Sequence, residues 1–570
     1  MELSAATVFL FVVSLVILVF FLSRKTSASS MKKRPPGPWC LPVIGNLLHL
    51  LTSQPQAALR DLARKHGPVM SLRLGQVDAV VISSPAAAQE VLRDKDLTFA
   101  SRPSMLTSDI ILYGNMDIAF APYGAYWRML RKLCMIELLS AHKVRQLAPV
   151  RDGETRSFVR KVGAAGRGGE LVNLGRLLCS CSISITAKAT FGRLCDEELQ
   201  KQYMPVVEVA VKEGGGFSAG DLFPSLWFVD VATGLTRRLW RTRRQLDAIF
   251  DKMIAECEAQ RAEMKKTATT SKTTGDEEEH LLSVLLRIKD EGKLDVPISM
   301  TTIKAILFDM LTGGPETTSS AAEWIMSELM RNPEAMAKAQ AEVQRTFDGK
   351  SPEDHEGLID KLRYMKMVIK EGLRLNPVLP LLLPRLCGAT CDIGGFEVAK
   401  GTKVIVNAWA MARSPEHWPD AEEFRPERFD GGAAGDFKGL QFEYLPFGSG
   451  RRMCPGDTFG LAVLELIVAR LLYYFDWSLP NGMRPDELDM DMIVGSTASA
   501  PVGVAVQGAS RGNLKAEHAA LIVVYYILFM VNFLFYMCSY GSLWGLCYCV
   551  IVGQINITIG IHISTSIYIS

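Results

Sequence analysis

Phe447-Gly-Ser-Gly-Arg-Arg-Met-Cys-Pro-Gly456 decides how the rest of the chain is read. Gly448, Gly450 and Gly456 surround one cysteine, Pro455 follows it, and Arg452 stands two residues before it. Glycines let a backbone turn tightly and approach a flat ligand closely. The apolar helical pattern of Leu461 to Leu472 comes directly afterwards, so the sulfur lies near a helix N-terminus with cations beside it. Those surroundings favour thiolate, the form of sulfur that binds metal. A lone cysteine in a turn also reads as a buried structural residue.

The spacing F-x-x-G-x-R-x-C-x-G resembles, over all ten positions, the haem-binding loop of the cytochrome P450 family. The resemblance implies that Cys454 is the axial thiolate ligand of haem b, on a cofactor loop that includes Phe447 and Gly448. Electron donation from such a thiolate favours O–O bond cleavage. It further implies a mainly α fold with small β-sheets and one large catalytic domain.

Other stretches stand in the order the family shows. Trp127 and Arg131, in A-Y-W-R-M-L-R-K-L-C, are four apart and share one helical face. Both are hydrogen-bond donors without an acceptor, which suits an anion. In isolation such a pair is as readily a surface cation resting on an aromatic ring. Their spacing resembles the clamp on the haem propionates, for which Arg385 and Arg452 are the other matching positions. Glu371 and Arg374 form an E-x-x-R pair, and Arg428 follows in P-E-R-F. Alone, E-x-x-R describes many exposed ion pairs worth under about 1 kcal/mol. In this order it resembles a buried Glu–Arg–Arg lock that keeps the cysteine loop in place.

The helical run Thr301 to Met330 contains Gly313-Gly-Pro-Glu-Thr-Thr318, which resembles the family's oxygen-site motif. Small residues at Gly313 and Gly314 let a helix pass close to a flat cofactor. Glu316 and Thr317, an acid beside an alcohol, are the candidate catalytic residues, relaying protons through water. A helix broken at Gly-Gly-Pro with an exposed cap is the alternative reading of the same residues. Pro315 departs from the family pattern, because it removes the hydrogen bond to the Leu311 carbonyl. That freed carbonyl is a candidate holder of the relay water. The resemblance implies that substrate contacts come from the loop Met105–Met116, Ile306, Leu307, Asp309, Val378–Leu383 and Gly495–Ala498. Their mostly aliphatic character implies an apolar ligand held by shape, although core packing explains the same residues.

Length and composition agree with a large enzyme and exclude other classes. The 570 residues can bury a large core, and a net charge of +2 points to no nucleic-acid partner. The twelve cysteines include no C-x-x-C, so reduced thiols in a cytosol-facing domain are expected. Neither H-E-x-x-H nor a Walker sequence occurs, and no clean G-x-G-x-x-G follows a strand. A redox enzyme without its own nucleotide site must receive electrons from another protein. NADPH–cytochrome P450 reductase is the partner the resemblance implies, so that NADPH acts only indirectly.

Ala5 to Leu22 carries only Thr7 and Ser14 as polar residues, and a helix of that length spans roughly 27 Å. Arg24, Lys25, Lys32, Lys33 and Arg34 follow it, which by the positive-inside rule leaves the bulk of the protein in the cytosol. Residues 1–24 are therefore expected to be a retained single-pass anchor in the endoplasmic reticulum membrane, and 25–45 a basic, proline-rich hinge. The catalytic domain is expected over 46–511. Val69–Leu74 and Ala79–Ile82 read as strands, Arg102–Gly124 and Gly214–Trp227 as loops, and Lys265–Glu279 as a solvated linker. Residues 512–570 form an atypical hydrophobic tail, in which Ala519 to Met537 is long enough to span a bilayer. It reads either as a second membrane segment or as sequence from outside the usual coding frame, and the second is preferred.

The resemblance is closest to plant microsomal members of the A type, judging by P-P-G-P, A-P-Y-G-A-Y-W-R and P-F-G-S-G-R-R-M-C-P-G. The implied reaction inserts one atom of dioxygen into a C–H bond of a hydrophobic specialised metabolite, first among candidates a terpenoid such as a pimaradiene-type diterpene. The alternatives are a reductase-independent isomerase or dehydratase of the same family, and a membrane haem protein without turnover. Thr317 and the uninterrupted cysteine loop argue against the first, and the intact Glu316/Thr317 pair against the second.

Overall fold

Runs of Val, Ile and Leu over Val69–Leu74 (β1) and Val77–Ile82 (β2) pair antiparallel, Val69 opposite Ile82 and Leu74 opposite Val77. The computed structural model describes residues 33–499 apart from 166–171, 193–196, 215–216, 269–279, 295, 432–436, 480–481 and 495–497. The described residues lie within one unit, Lys32–Gln507. The expected anchor, the first part of the hinge, and the tail lie outside the described residues. No helix of the described residues is long and apolar enough to cross a membrane.

The fold is mainly α with small sheets. In chain order, the helices that position the site are α1 (Pro55–His66), α2 (Leu106–Ile111), α3 (Ala125–Leu133), α4 (Ala148–Ala165) and α5 (Leu174–Phe191). Then come α6 (Glu197–Gly214), α7 (Leu235–Ala268), α8 (Leu281–Glu291), α9 (Met300–Gly313) and α10 (Pro315–Arg331). Last are α11 (Pro333–Phe347), α12 (Arg363–Leu375) and α13 (Asp457–Tyr474). Strands β3 (Arg385–Leu386) and β6 (Lys403–Val406) complete a four-stranded sheet in the order β1-β2-β6-β3. β6 runs parallel to β2 and antiparallel to β3. A hairpin of β4 (Cys391–Ile393) and β5 (Phe396–Val398) lies in the same half of the chain.

Helices α9 and α10 lie between the two main apolar clusters. Ile303, Ile306 and Leu307 of α9 pack with Phe250 and Met253 of α7, whereas Ile325, Met326 and Leu329 of α10 pack with α5, α11, α12 and α13. Ser299 starts α9 with a capping box: its hydroxyl accepts the Thr302 N–H at 3.1 Å, and the Thr302 hydroxyl accepts the Ser299 N–H at 3.4 Å. The single run expected over Thr301–Met330 is divided at Gly314, because Pro315 offers no N–H to the preceding turn. Gly372 lets α12 approach α10 closely, since a Cβ there would fall 2.7 Å from Ile325 Cγ1.

Two expected loops contain short helices. Arg102–Gly124 holds α2, whose first turn closes when the Ser108 hydroxyl accepts the Met105 N–H at 3.1 Å. Gly214–Trp227 includes a turn of helix at Ala219–Leu222, capped by Ser218 accepting the Asp221 N–H at 3.1 Å. The polar stretch Lys265–Glu279 begins as the last turn of α7, and its remainder falls outside the described residues.

Candidate haem-thiolate site

The cysteine loop is drawn tight by its own backbone. The Cys454 N–H donates to the Phe447 carbonyl at 2.9 Å, and Gly448 N–H donates to Leu445 at 3.1 Å. Gly450 has φ +70°, and a Cβ there would fall 2.0 Å from the Leu92 carbonyl oxygen, so no other residue fits. Asp96, buried, is the loop's anchor elsewhere in the chain. It accepts the Arg451 backbone N–H at 2.9 Å and its guanidinium at 3.0 Å, and lies 3.5 Å from the Arg385 guanidinium.

Burial pushes the Cys454 thiol up to about 11, against the pull of the Gly456 N–H and of Arg131. Cations and helix N-terminus therefore do not by themselves hold it as thiolate, as the sequence had suggested. A metal cation bound at the sulfur would hold it as thiolate.

Four guanidiniums gather beside this loop. Arg452 donates to the carbonyls of Ala100 at 2.6 Å, Ile118 at 3.2 Å and Ala121, and stacks 4.3 Å from the Trp127 ring centroid. Arg385 donates to Ser449 at 3.2 Å and Phe99 at 3.4 Å. Arg102 donates to Leu383 at 2.6 Å, Pro384 at 2.9 Å and Ala119 at 3.1 Å. Arg131 is half-buried, with Cys454 among the groups that favour its charge. Burial first, then the charge of Arg385, lowers Arg452 to about 9; burial lowers Arg385 to about 10. Trp127 is buried in the same group, and its indole N–H donates to Ile118 at 3.0 Å.

Thr317 and Gly313 lie one turn apart across the helix break. The Thr317 hydroxyl donates to the Gly313 carbonyl at 2.7 Å. Gly313 is exposed between half-buried neighbours, and a Cβ on it would meet nothing within 4 Å. The helix after Cys454 reaches this point, because a Cβ on Gly460 would lie 3.8 Å from the Thr318 hydroxyl. Glu316, one residue round the helix, is half-buried; burial first, and then the charges of Glu208 and Glu316, push the Cys179 thiol of α5 up to about 11.

The structure joins Glu371, Arg374 and Arg428 in one buried triad. Arg374 grips Glu371 with two hydrogen bonds, 2.7 and 2.9 Å, and Arg428 Nε donates to the same carboxylate at 2.9 Å. The spare Arg374 donors reach the carbonyls of Ala412 at 2.6 Å, Ala421 at 2.7 Å and Glu423 at 3.1 Å. Tyr444, three residues before Phe447, donates its hydroxyl to the Lys370 carbonyl at 3.0 Å, tying the segment that leads into the loop to α12.

Of the candidate substrate contacts, Ile110 and Ile111 of α2 share an apolar cluster with Ile306 and Leu307, whereas Val378 packs in the other cluster. Within Gly495–Ala498, positions 495–497 lie outside the described residues, and Ala498 pairs with Val494 in a short antiparallel ladder. Asp309 is no aliphatic wall. Its carboxylate accepts the Ile118 N–H at 2.7 Å and faces Asp117. Burial raises both acids, Asp117 to about 6. Sequence reasoning passed over Arg102, Asp96 and Asp117, because each stands alone in the chain and gains meaning only from partners far away.

Buried guanidiniums outnumber the carboxylates Asp96 and Asp117 that face them, which suits a cofactor carrying carboxylates of its own. Beside them, a sulfur on a glycine loop and an open, glycine-floored helix face fit a flat metal-bearing ring. Cys454 would ligate the iron, and Arg131, Arg385 and Arg452 would hold the propionates. When bound, haem supplies the reductive cleavage of dioxygen. This arrangement defines a haem-thiolate protein.

The chain belongs to the cytochrome P450 family, whose profile matches residues 35–502. It is 71% identical over 492 residues to "Cytochrome P450 CYP99A1" of Sorghum bicolor, covering 83% of this chain and 92% of that protein. It is 64% identical over 496 residues to "9-beta-pimara-7,15-diene oxidase" of Oryza sativa subsp. japonica, covering 87% and 95%. A zebrafish cytochrome P450 solved with progesterone superposes with a TM-score of 0.64 at 26% identity, over 78% of this chain and 97% of that one.

Proposed function

We propose that this cytochrome P450 monooxygenase oxidises a C–H bond of a terpenoid, with a pimaradiene-type diterpene as the first candidate. The observation that carries the chemistry is the Thr317 hydroxyl held over the exposed Gly313 face, on a helix packed against the one that follows Cys454. Thr317 moves a proton at Oγ, replenished through water from Glu316, while the apolar cluster of Ile110, Ile111, Ile306 and Leu307 excludes bulk solvent and favours an apolar ligand. The substrate class rests on likeness to the rice pimaradiene oxidase.

Electrons come from NADPH through a membrane-bound reductase. A groove of about 360 Å³ beside Tyr123 and Trp127 presents Arg128, Arg131, Lys132 and Arg451, a cationic face suited to an acidic flavoprotein. The hydrophobic segment over 1–24, the hinge over 25–45 and the domain over 46–511 make the protein an anchored enzyme of the endoplasmic reticulum facing the cytosol. Microsomes holding the full chain and reductase, given NADPH and a panel of pimaradienes and sesquiterpenes, should yield products one oxygen atom heavier. NADPH-independent products, or none from any terpene, would overturn this reading.

A further inference from the structure

Helices α5 and α10 run antiparallel, and two close approaches fix which residues face one another. A Cβ on Gly175 would fall 2.3 Å from the Glu323 carboxylate, and a Cβ on Gly314 would fall 3.2 Å from the Thr186 hydroxyl. Between these points Gly175, Cys179, Ser182 and Thr186, spaced four, three and four apart, share one face of α5. Glu316, Ser319 and Glu323, spaced three and four apart, share the facing side of α10. Leu178 and Ile185 of α5 pack with Ala322 and Ile325 of α10 in the apolar cluster beside them, so a polar seam runs along an apolar one.

Close helix packing alone would account for the small residues. Two observations go further. Ser182 is 2% exposed, and its hydroxyl has no hydrogen-bond partner among the described residues, although its place between Cys179 and Thr186 turns it toward α10. A buried hydroxyl in a polar seam is a seat for water. Glu323, half-buried, sets its carboxylate in the notch left by Gly175, and burial raises its pKa to about 7.

We propose that this seam is the proton inlet of the enzyme: Glu323 takes a proton from solvent and passes it, through water held by Ser182, to Glu316. The inlet rests on the relay from Glu316 to Thr317 and carries it out to the surface. The two carboxylates stand seven residues apart on α10, roughly 10.5 Å along its axis, too far for a direct hydrogen bond. Ser319 lies between them on the same face, its hydroxyl donating to the Glu316 backbone carbonyl at 3.1 Å. Each transfer moves one proton and no electrons. The Glu323 O–H bond breaks as its proton joins a water, that water gives up a proton to the Glu316 carboxylate, and solvent restores the Glu323 acid.

The holoenzyme in microsomes with reductase is assayed for product and peroxide per NADPH and for the solvent isotope effect on product formation. E323Q should lower product per NADPH about tenfold, less than the loss expected of Thr317 itself, raise peroxide and enlarge the isotope effect. E323D should recover most of the loss. G175A keeps the carboxylate but displaces it from its notch, so it should behave as E323Q and carries the test where E323Q fails to fold. Two readouts do not depend on turnover. The infrared difference between wild type and E323Q just below neutral pH should show a protonated carboxyl. S182A should lower the melting temperature by releasing a bound water, whereas loss of a hydroxyl with no partner would raise it. E323Q and G175A matching wild type while T317V shifts the product-to-peroxide ratio would overturn the inlet alone, as would a stabilised S182A or a missing carboxyl band. A ratio unmoved by T317V as well would overturn the relay and the inlet together.

Discussion

Arg374 and Glu371 are locked by parallel hydrogen bonds of 2.7 and 2.9 Å, with neither side chain exposed to solvent. Removing one partner strands the other's charge in the interior, which costs about 3–5 kcal/mol. E371Q should therefore lower the melting temperature sharply and deplete haem-loaded protein, as read by calorimetry and by haem content per chain. R428K should do less, because Arg428 Nε contributes one of the several bonds to that carboxylate. Equal stability of E371Q and wild type would show the triad to be dispensable.

Cys454→Ser keeps the loop's backbone bonds, including the one from position 454 to Phe447, and removes the soft ligand. The reduced variant with carbon monoxide should lose the red-shifted Soret band that a thiolate partner gives. Its fold, followed by circular dichroism, should persist. A band unchanged from wild type would remove Cys454 from the iron.

Thr317→Val deletes the hydroxyl that donates to Gly313 while keeping the side-chain shape. Product formation should fall by about two orders of magnitude, the lower end of what a positioned proton donor contributes. Peroxide released per NADPH consumed should rise. Pro315→Thr restores an N–H to the turn at Leu311 and should change the same partition if the Leu311 carbonyl holds the relay water. An unchanged ratio of product to peroxide would exclude Pro315 from the relay.

Motifs with close sequence spacing were the legible part of this site. The glycine loop around Cys454, the E-x-x-R pair and the turn from Gly313 to Thr317 each fit within ten residues, so local geometry is written into their order. Strands β1 and β2 and helix α13 were legible from apolar periodicity for the same reason. Asp96 was not, since its role comes from contact with Arg451 and Arg385. The division at Gly314 was legible only as the alternative reading, a helix broken at Gly-Gly-Pro: the apolar period runs straight through, and only the missing Pro315 N–H interrupts it. The short α2 was hidden because six residues carry too little periodicity to distinguish helix from loop.

Asp117, with its pKa raised to about 6 by burial, faces Asp309, Arg102 and Arg452. Its folded-state pKa exceeds the ordinary value, so its contribution to stability is complete below about pH 4 and is lost as pH rises toward 6. D117N cannot titrate, and its amide oxygen can still accept the Ala119 and Phe120 N–H groups. Between pH 4 and 6 the variant's denaturation midpoint should vary less than wild type's, by the equivalent of roughly 1–3 kcal/mol. Identical curves would place the pH dependence elsewhere.

The contact between Asp96 and Arg451 closes a gap of 355 positions. At translation speeds of about 5–20 residues per second, the aspartate waits roughly 20–70 s on the ribosome before its arginine is synthesised. Until then the nest for the prosthetic group has only one wall. Haem capture by this chain thus awaits synthesis of the loop that carries Arg451 and Cys454, and the availability of free haem matters from then on, not while the N-terminal half is emerging.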